Sequence, residues 1–117
     1  MQAYLDGQSG PAATAFQAWL DANPDAPQAP EARYYLGESL FKQADYQEAA
    51  IAYVAAIRGW PTTAWAPDAT VKLARSLIEI RQTSEACGIL ADFNSHYPRA
   101  TPTVKSAAAA ARTRARC

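Results

Sequence analysis

The chain has 117 residues, which suits one compact domain or a short repeat array. Half of the residues are apolar and alanine is abundant, favouring helices packed with their backbones close together. The formal net charge is zero and no basic-aromatic groove pattern appears, which argues against nucleic-acid binding; no apolar run approaches membrane-spanning length.

The charges are nonetheless sorted. Residues 1–60 carry seven acids and three bases, whereas residues 61–117 carry four acids and eight bases, with no acid after Asp92. One end of the molecule is therefore expected to be acidic and the other basic, a bias on how a charged partner lies along it. A solvated basic tail at Arg112, Arg114 and Arg116 is the plainer reading of the last three charges.

In chain order, residues 1–6 read as the remnant of a helix marked by Tyr4 and Leu5, and residues 7–10 as a turn in which Ser9 can cap the next helix. The opening MQAYLDG thus falls inside a helix, as in a domain cut from a longer protein, and no secretory signal pattern precedes it. A helix over 11–22 places Ala12, Ala15, Phe16, Trp19 and Leu20 on one face, and Asn23-Pro24 stops it. The proline-rich connector PDAPQAP leads to a helix over 30–43 carrying Tyr34, Tyr35, Leu36, Leu40 and Phe41. Gly37 sits in the middle of that helix, where glycine costs up to about 1 kcal/mol, and is expected to mark a close crossing with Ala49 and Ala56. Asp45 with Glu48 three residues on resembles a capping box for a helix over 46–58, which Gly59-Trp60-Pro61 ends. The pattern recurs over 67–80 and 83–95, then in an alanine-rich helix over 103–116 that should cap the stack. No strand-like alternation appears.

The recurrence has a period of 37 residues. Pro24, Pro61 and Pro98 share a register, as do Phe16, Tyr53 and Leu90, and Ala12, Ala49 and Ala86; Leu36 meets Leu73 and Leu40 meets Leu77. A period in this range signals a solenoid of stacked units. The fold expected is all-α, an array of about three helical hairpins with repeats near 1–29, 30–66 and 67–102 and a capping helix over 103–117.

Within residues 30–61 the marks resemble the tetratricopeptide repeat: Leu36-Gly37 in the first helix, Ala49, Tyr53 and Ala56 in the second, and Pro61 at the end. That repeat usually spans 34 residues, and the three additional residues here fall in the connector PTTAWAP. The succession AFQAWLDANPDAPQAPEARYYLGESLF, DYQEAAIAYVAAI, APDATVKLARSLIEI and EACGILADFNSHYP further resembles the C-terminal domain of the YbgF/CpoB proteins of the Tol-Pal system. Tyr35 in place of a tryptophan, Gly59-Trp60-Pro61 in place of a Tyr-Pro stop and Ala74 in place of a glycine depart from that pattern. The resemblance implies a periplasmic, non-enzymatic scaffold that binds TolA, and through it a link to a penicillin-binding protein and to the coordination of outer-membrane constriction with peptidoglycan synthesis. It also implies trimerisation through an N-terminal coiled coil outside this sequence. General envelope-assembly adaptor and structural self-association module are the competing readings.

Repeat geometry puts the first helix of each hairpin on the concave side, so the partner-binding groove is expected to present Tyr34, Glu38, Phe41, Lys42, Val71, Arg75, Ile78 and Glu79, continued by Lys105 and Arg112. The competing reading of Tyr34, Phe41 and Ile78 is that they seal neighbouring repeats. Trp60 and Trp65, flanking the long connector, either form a second surface or pack beneath it. In a family that lives in the periplasm, the pair Cys87 and Cys117 points to a disulfide. A straight final helix overshoots Cys87, so the pairing needs a bent tail; the alternative is a buried Cys87 and a free terminal thiol. The lone His96 reads as a solvent-facing turn residue, no cofactor or metal site is expected, and no nucleophile motif or phosphate loop is present.

Overall fold

The computed structural model describes residues 9–58 and 60–117. They form six helices: α1 (Ser9–Ala22), α2 (Ala29–Lys42), α3 (Tyr46–Ala56), α4 (Ala66–Glu79), α5 (Thr83–His96) and α6 (Pro102–Ala115). Each lies within two residues of its sequence-based expectation. No strand occurs among the described residues, and the architecture is an all-α helical-hairpin repeat. The expected helical remnant with Tyr4 and Leu5 falls outside the described residues. Ser9 already belongs to α1 and does not flank it as a cap.

Each helix packs on its chain neighbours, and α4 also meets α2 and α6, so the first helices of successive hairpins lie side by side. Prolines open α2, α4 and α6 within their first turn, where the missing N–H costs no ladder bond. The array measures 38 × 26 × 22 Å. Tyr53, Phe93, Leu73, Leu90 and Val71 form the fully buried centre, surrounded by Ala49, Ala69, Ala74 and Ala86, each with no exposed surface.

Among the described residues, α2, α4 and α6 end in the same way, without glycine. Ala44 (φ 60°), Arg81 (φ 66°) and Arg116 (φ 60°) all take the left-handed conformation. After α2, the Ala44 and Asp45 amides donate to the Phe41 and Leu40 carbonyls; after α4, those of Arg81 and Gln82 donate to Ile78 and Leu77. After α6, Arg116 and Cys117 donate to Thr113 and Arg112. These paired bonds are Schellman turns, which satisfy the last carbonyls and reverse the chain. Ala44 and Arg81 are one 37-residue period apart, so the turn belongs to the repeat. Asp45 does stand at the N-cap of α3, but its side chain makes no capping bond. Its amide is drawn back to Leu40, which fixes Asp45 at φ −89°, ψ 72°.

Gly37 marks a close crossing, with a different partner from the one expected. A Cβ at this position would lie 2.7 Å from the Tyr53 ring, so the aromatic ring of α3 rests directly on the backbone of α2. The alanines, Ala49 and Ala56, flank the contact along the same helix without supplying its nearest atoms.

Candidate functional site

The residues expected to line a groove on α2, α4 and α6 divide into two groups. Glu38 and Val71 are withdrawn from the surface, 5 % and 2 % exposed. Val71 faces the core because three apolar residues of α4, Val71, Leu73 and Leu77, all find cover from α3, α5 or α6. Glu38 accepts a hydrogen bond from the Tyr53 hydroxyl at 2.6 Å and from the Lys72 ammonium at 2.5 Å. Lys72 also meets Asp68, one turn earlier on α4, at 3.2 Å, and Asp68 accepts the Tyr34 hydroxyl at 2.7 Å. The chain Tyr53–Glu38–Lys72–Asp68–Tyr34 therefore ties α2, α3 and α4 together. Burial, reinforced by the Glu38 carboxylate, pushes the Tyr53 hydroxyl far above its ordinary range and keeps it a donor. Such a chain costs desolvation, which is tolerable only because each charge keeps a partner.

Tyr34 is half-buried: its ring stacks on Trp65 with centroids 5.2 Å apart and planes 16° from parallel, sealing one hairpin to the connector of the next. Trp65 and Trp60 both pack against the core, so the long connector is pinned from above by two indoles. His96 is exposed at the end of α5, yet its ring is not free in solvent. It stacks on Trp60 with centroids 3.7 Å apart and planes 1° from parallel.

The accessible part of the strip runs from Phe41 to Arg114. Phe41 is half-buried, edge-on to Tyr46 at 5.4 Å, and the Arg75 guanidinium stands 5.0 Å over its ring. Arg75 and Lys42 are exposed. Ile78 packs its inner side on the core and, with Arg75, Ala107, Ala110, Ala111 and Arg114, lines a depression of about 270 Å³ between α4 and α6. Glu79 pairs with Arg114 across the same helices. Arg112, expected to extend the line, is half-buried and donates to the Leu90 carbonyl at 2.7 Å, holding α6 on α5; Lys105 is exposed. The structure thus brings Phe41, Arg75, Ile78 and Glu79 together and adds Arg114. Sequence reasoning missed Lys72, Asp68 and Arg114. Asp68 four residues before Lys72 is a helix-stabilising spacing that was open to reading; Arg114 carried no local signal.

The strip offers an aromatic edge, an aliphatic floor and charges of both signs, the materials of a helix- or peptide-binding surface. Among the described residues no group of three or more His, Cys, Asp or Glu side chains could hold a metal ion.

The cysteines lie at disulfide distance, Sγ to Sγ 2.13 Å with Cα atoms 5.5 Å apart. The Schellman turn at Arg116 supplies the bend that a straight helix lacks, carrying Cys117 back towards α5.

Residues 31–63 and 68–100, together more than half of the chain, each match a family model described as the tetratricopeptide repeat. No curated protein matches the chain.

Proposed function

The chain belongs to the tetratricopeptide repeat family, whose repeats serve as protein–protein interaction modules, and on that premise we propose that it is a non-enzymatic envelope scaffold of the Tol-Pal system that binds TolA. The single observation that supports a groove partner is the accessible strip Phe41–Arg75–Ile78–Glu79–Arg114, which mixes an aromatic anchor with exposed charge across three parallel first helices. The choice of TolA rests on the succession of segments that resembles the YbgF/CpoB proteins, and the role in division and the link to a penicillin-binding protein come with that resemblance. A periplasmic setting agrees with cysteines at bonding distance, since disulfides persist in oxidising compartments. No described helix is long and apolar enough to cross a membrane.

Calorimetric titration with the central helical domain of TolA tests this reading. Saturable binding, weakened by Phe41→Ala and by the exposed-site change Arg75→Glu, is the expected result. Absence of binding at high micromolar concentration, with both proteins folded, rejects TolA as the partner. Self-association is favoured by one observation: Ile51 and Val54 on the outer face of α3 are 59 % and 47 % exposed. Sedimentation over a range of concentrations, repeated with Ile51→Lys, decides it.

A further inference from the structure

A second surface lies on the loop edge of the array and shares no residue with the strip. A cleft of about 540 Å³ opens between the connector at Thr62–Ala64 with Pro67, and the α5–α6 turn at 96–101 with Val104. Along α4, Pro67 is eight residues before Arg75, roughly 12 Å by helical rise. The two connectors that border the cleft differ in length: nine residues separate α3 from α4, whereas five separate α5 from α6.

The one formally charged side chain in the lining is that of Arg99. Ala64, Pro67, Tyr97 and Val104 make an apolar floor, and the ionisable side chains at the rim are His96 and Arg99, with no carboxylate among the lining residues. Asp68, the acid nearest in sequence on α4, is engaged by Lys72 and Tyr34. The capped N-terminus of α6, where Thr101 accepts from the Val104 amide, opens onto the same space and adds positive potential. The Tyr97 hydroxyl is buried beside Thr70, whose own hydroxyl donates to the Ala66 carbonyl at 2.8 Å. The residue following the connector proline also changes sign along the array. It is Asp25 after Pro24, Thr62 after Pro61 and Arg99 after Pro98. The basic end of the molecule and its apolar cleft therefore coincide.

We propose that this cleft is a docking surface for an acidic polypeptide segment carrying one apolar side chain. The side chain seats between the connector and the α5–α6 turn, and the flanking carboxylates face Arg99 and the N-terminal end of α6. The volume falls in the range of about 300–1000 Å³ common to binding clefts, and the Arg99 guanidinium, with no carboxylate in the lining to oppose it, selects the charge of the partner.

The test uses the whole 117-residue chain, isotopically labelled, titrated with an acetylated pentapeptide of central Leu flanked on each side by Asp and Glu. Saturable shifts of the Trp60 indole and of the amides of Ala64, Ala100 and Val104 are expected, with binding lost or weakened about tenfold or more in Arg99→Glu and in 0.5 M salt. Arg99 is exposed, so the variant keeps its helicity. A peptide with Lys in place of the acids does not bind, and Arg75→Glu leaves the cleft shifts unchanged, which separates this surface from the TolA reading. Five outcomes overturn the proposal: no saturable shift at millimolar peptide; equal affinity in Arg99→Glu; shifts confined to Arg75 and Ile78; the same shifts produced by anionic vesicles; or the same shifts produced by raising the protein concentration without peptide.

Discussion

The junction of α2 and α3 with α4 and the closure of the array by α6 are built from different materials. At the junction the contacts are large and polar: Tyr53 lies on Gly37, and Glu38, Lys72, Asp68 and Tyr34 carry hydrogen bonds from one hairpin to the next. At the cap the buried residues of α6 are Ala108 and Ala111 alone, helped by the half-buried Val104 and Ala107. Alanine lets backbones approach but removes little apolar surface from water, at roughly 25 cal/mol per Å². The cap is accordingly held at its far end by three other devices: Arg112 on the Leu90 carbonyl, Arg114 on Glu79, and the cysteine pair. An interior repeat is stabilised by what it buries, and this terminal helix by how it is tethered.

The largest effect is expected at the tether. Cys117→Ser, or reduction, should cost about 3–4 kcal/mol in the chain-entropy model for a loop of this size. In hydrogen exchange the loss should concentrate in α6 and spare α2 and α3; uniform deprotection would show that the cap and the interior unfold as one unit. At the junction, Lys72→Met should cost about 3 kcal/mol, because Glu38 is left buried with one partner fewer. Urea denaturation measures it, and a change under 1 kcal/mol would mean that the network contributes little beyond packing.

Gly37→Ala sharpens the comparison from another side. Helix propensity favours alanine by up to about 1 kcal/mol, but the new Cβ meets the Tyr53 ring at 2.7 Å. The clash should win, with a net loss of about 1–2 kcal/mol relieved in the double variant Gly37→Ala/Tyr53→Leu. At alkaline pH the two tyrosines with raised pKa values, Tyr53 and Tyr97, stay protonated in the folded chain while their unfolded counterparts ionise near 10. Their contribution is therefore complete below pH 10 and is lost as pH rises above it. Tyr53→Phe should flatten that alkaline decline, read as Tm against pH from 7 to 11. The smallest change is stabilising. Ala44→Gly relieves a left-handed alanine and should raise stability by about 0.5 kcal/mol, less than the local strain because glycine also frees the unfolded chain.

How far the sequence could be read varies with the kind of interaction. Prolines at helix starts, the 37-residue register and the apolar spacing placed every described helix, since those signals are local and periodic. The helix-ending turns were invisible, because Ala44, Arg81 and Arg116 sit where a glycine would have announced the left-handed residue. Among the groove residues, register placed Phe41, Arg75, Ile78 and Glu79 on neighbouring helices. It could not tell that Glu38 turns inward, since the ammonium that pairs with it comes from Lys72, thirty-four residues on. His96 reads as solvent-facing and is exposed, but its stacking could not be read for the same reason: the ring that stacks on it, Trp60, belongs to a different connector.

By itself, then, the sequence determined an all-α hairpin array, its helix limits to within two residues and the sorting of acids and bases along the chain. Each depends on residues within a few turns of one another or on a repeat visible by self-comparison. Tertiary structure alone decided which charged side chains are buried in the inter-hairpin network, how the tail bends to bring Cys117 to Cys87, and that two connectors border a cleft beside Arg99. Those outcomes depend on the distance between groups far apart in the chain, which packing sets and no local pattern records.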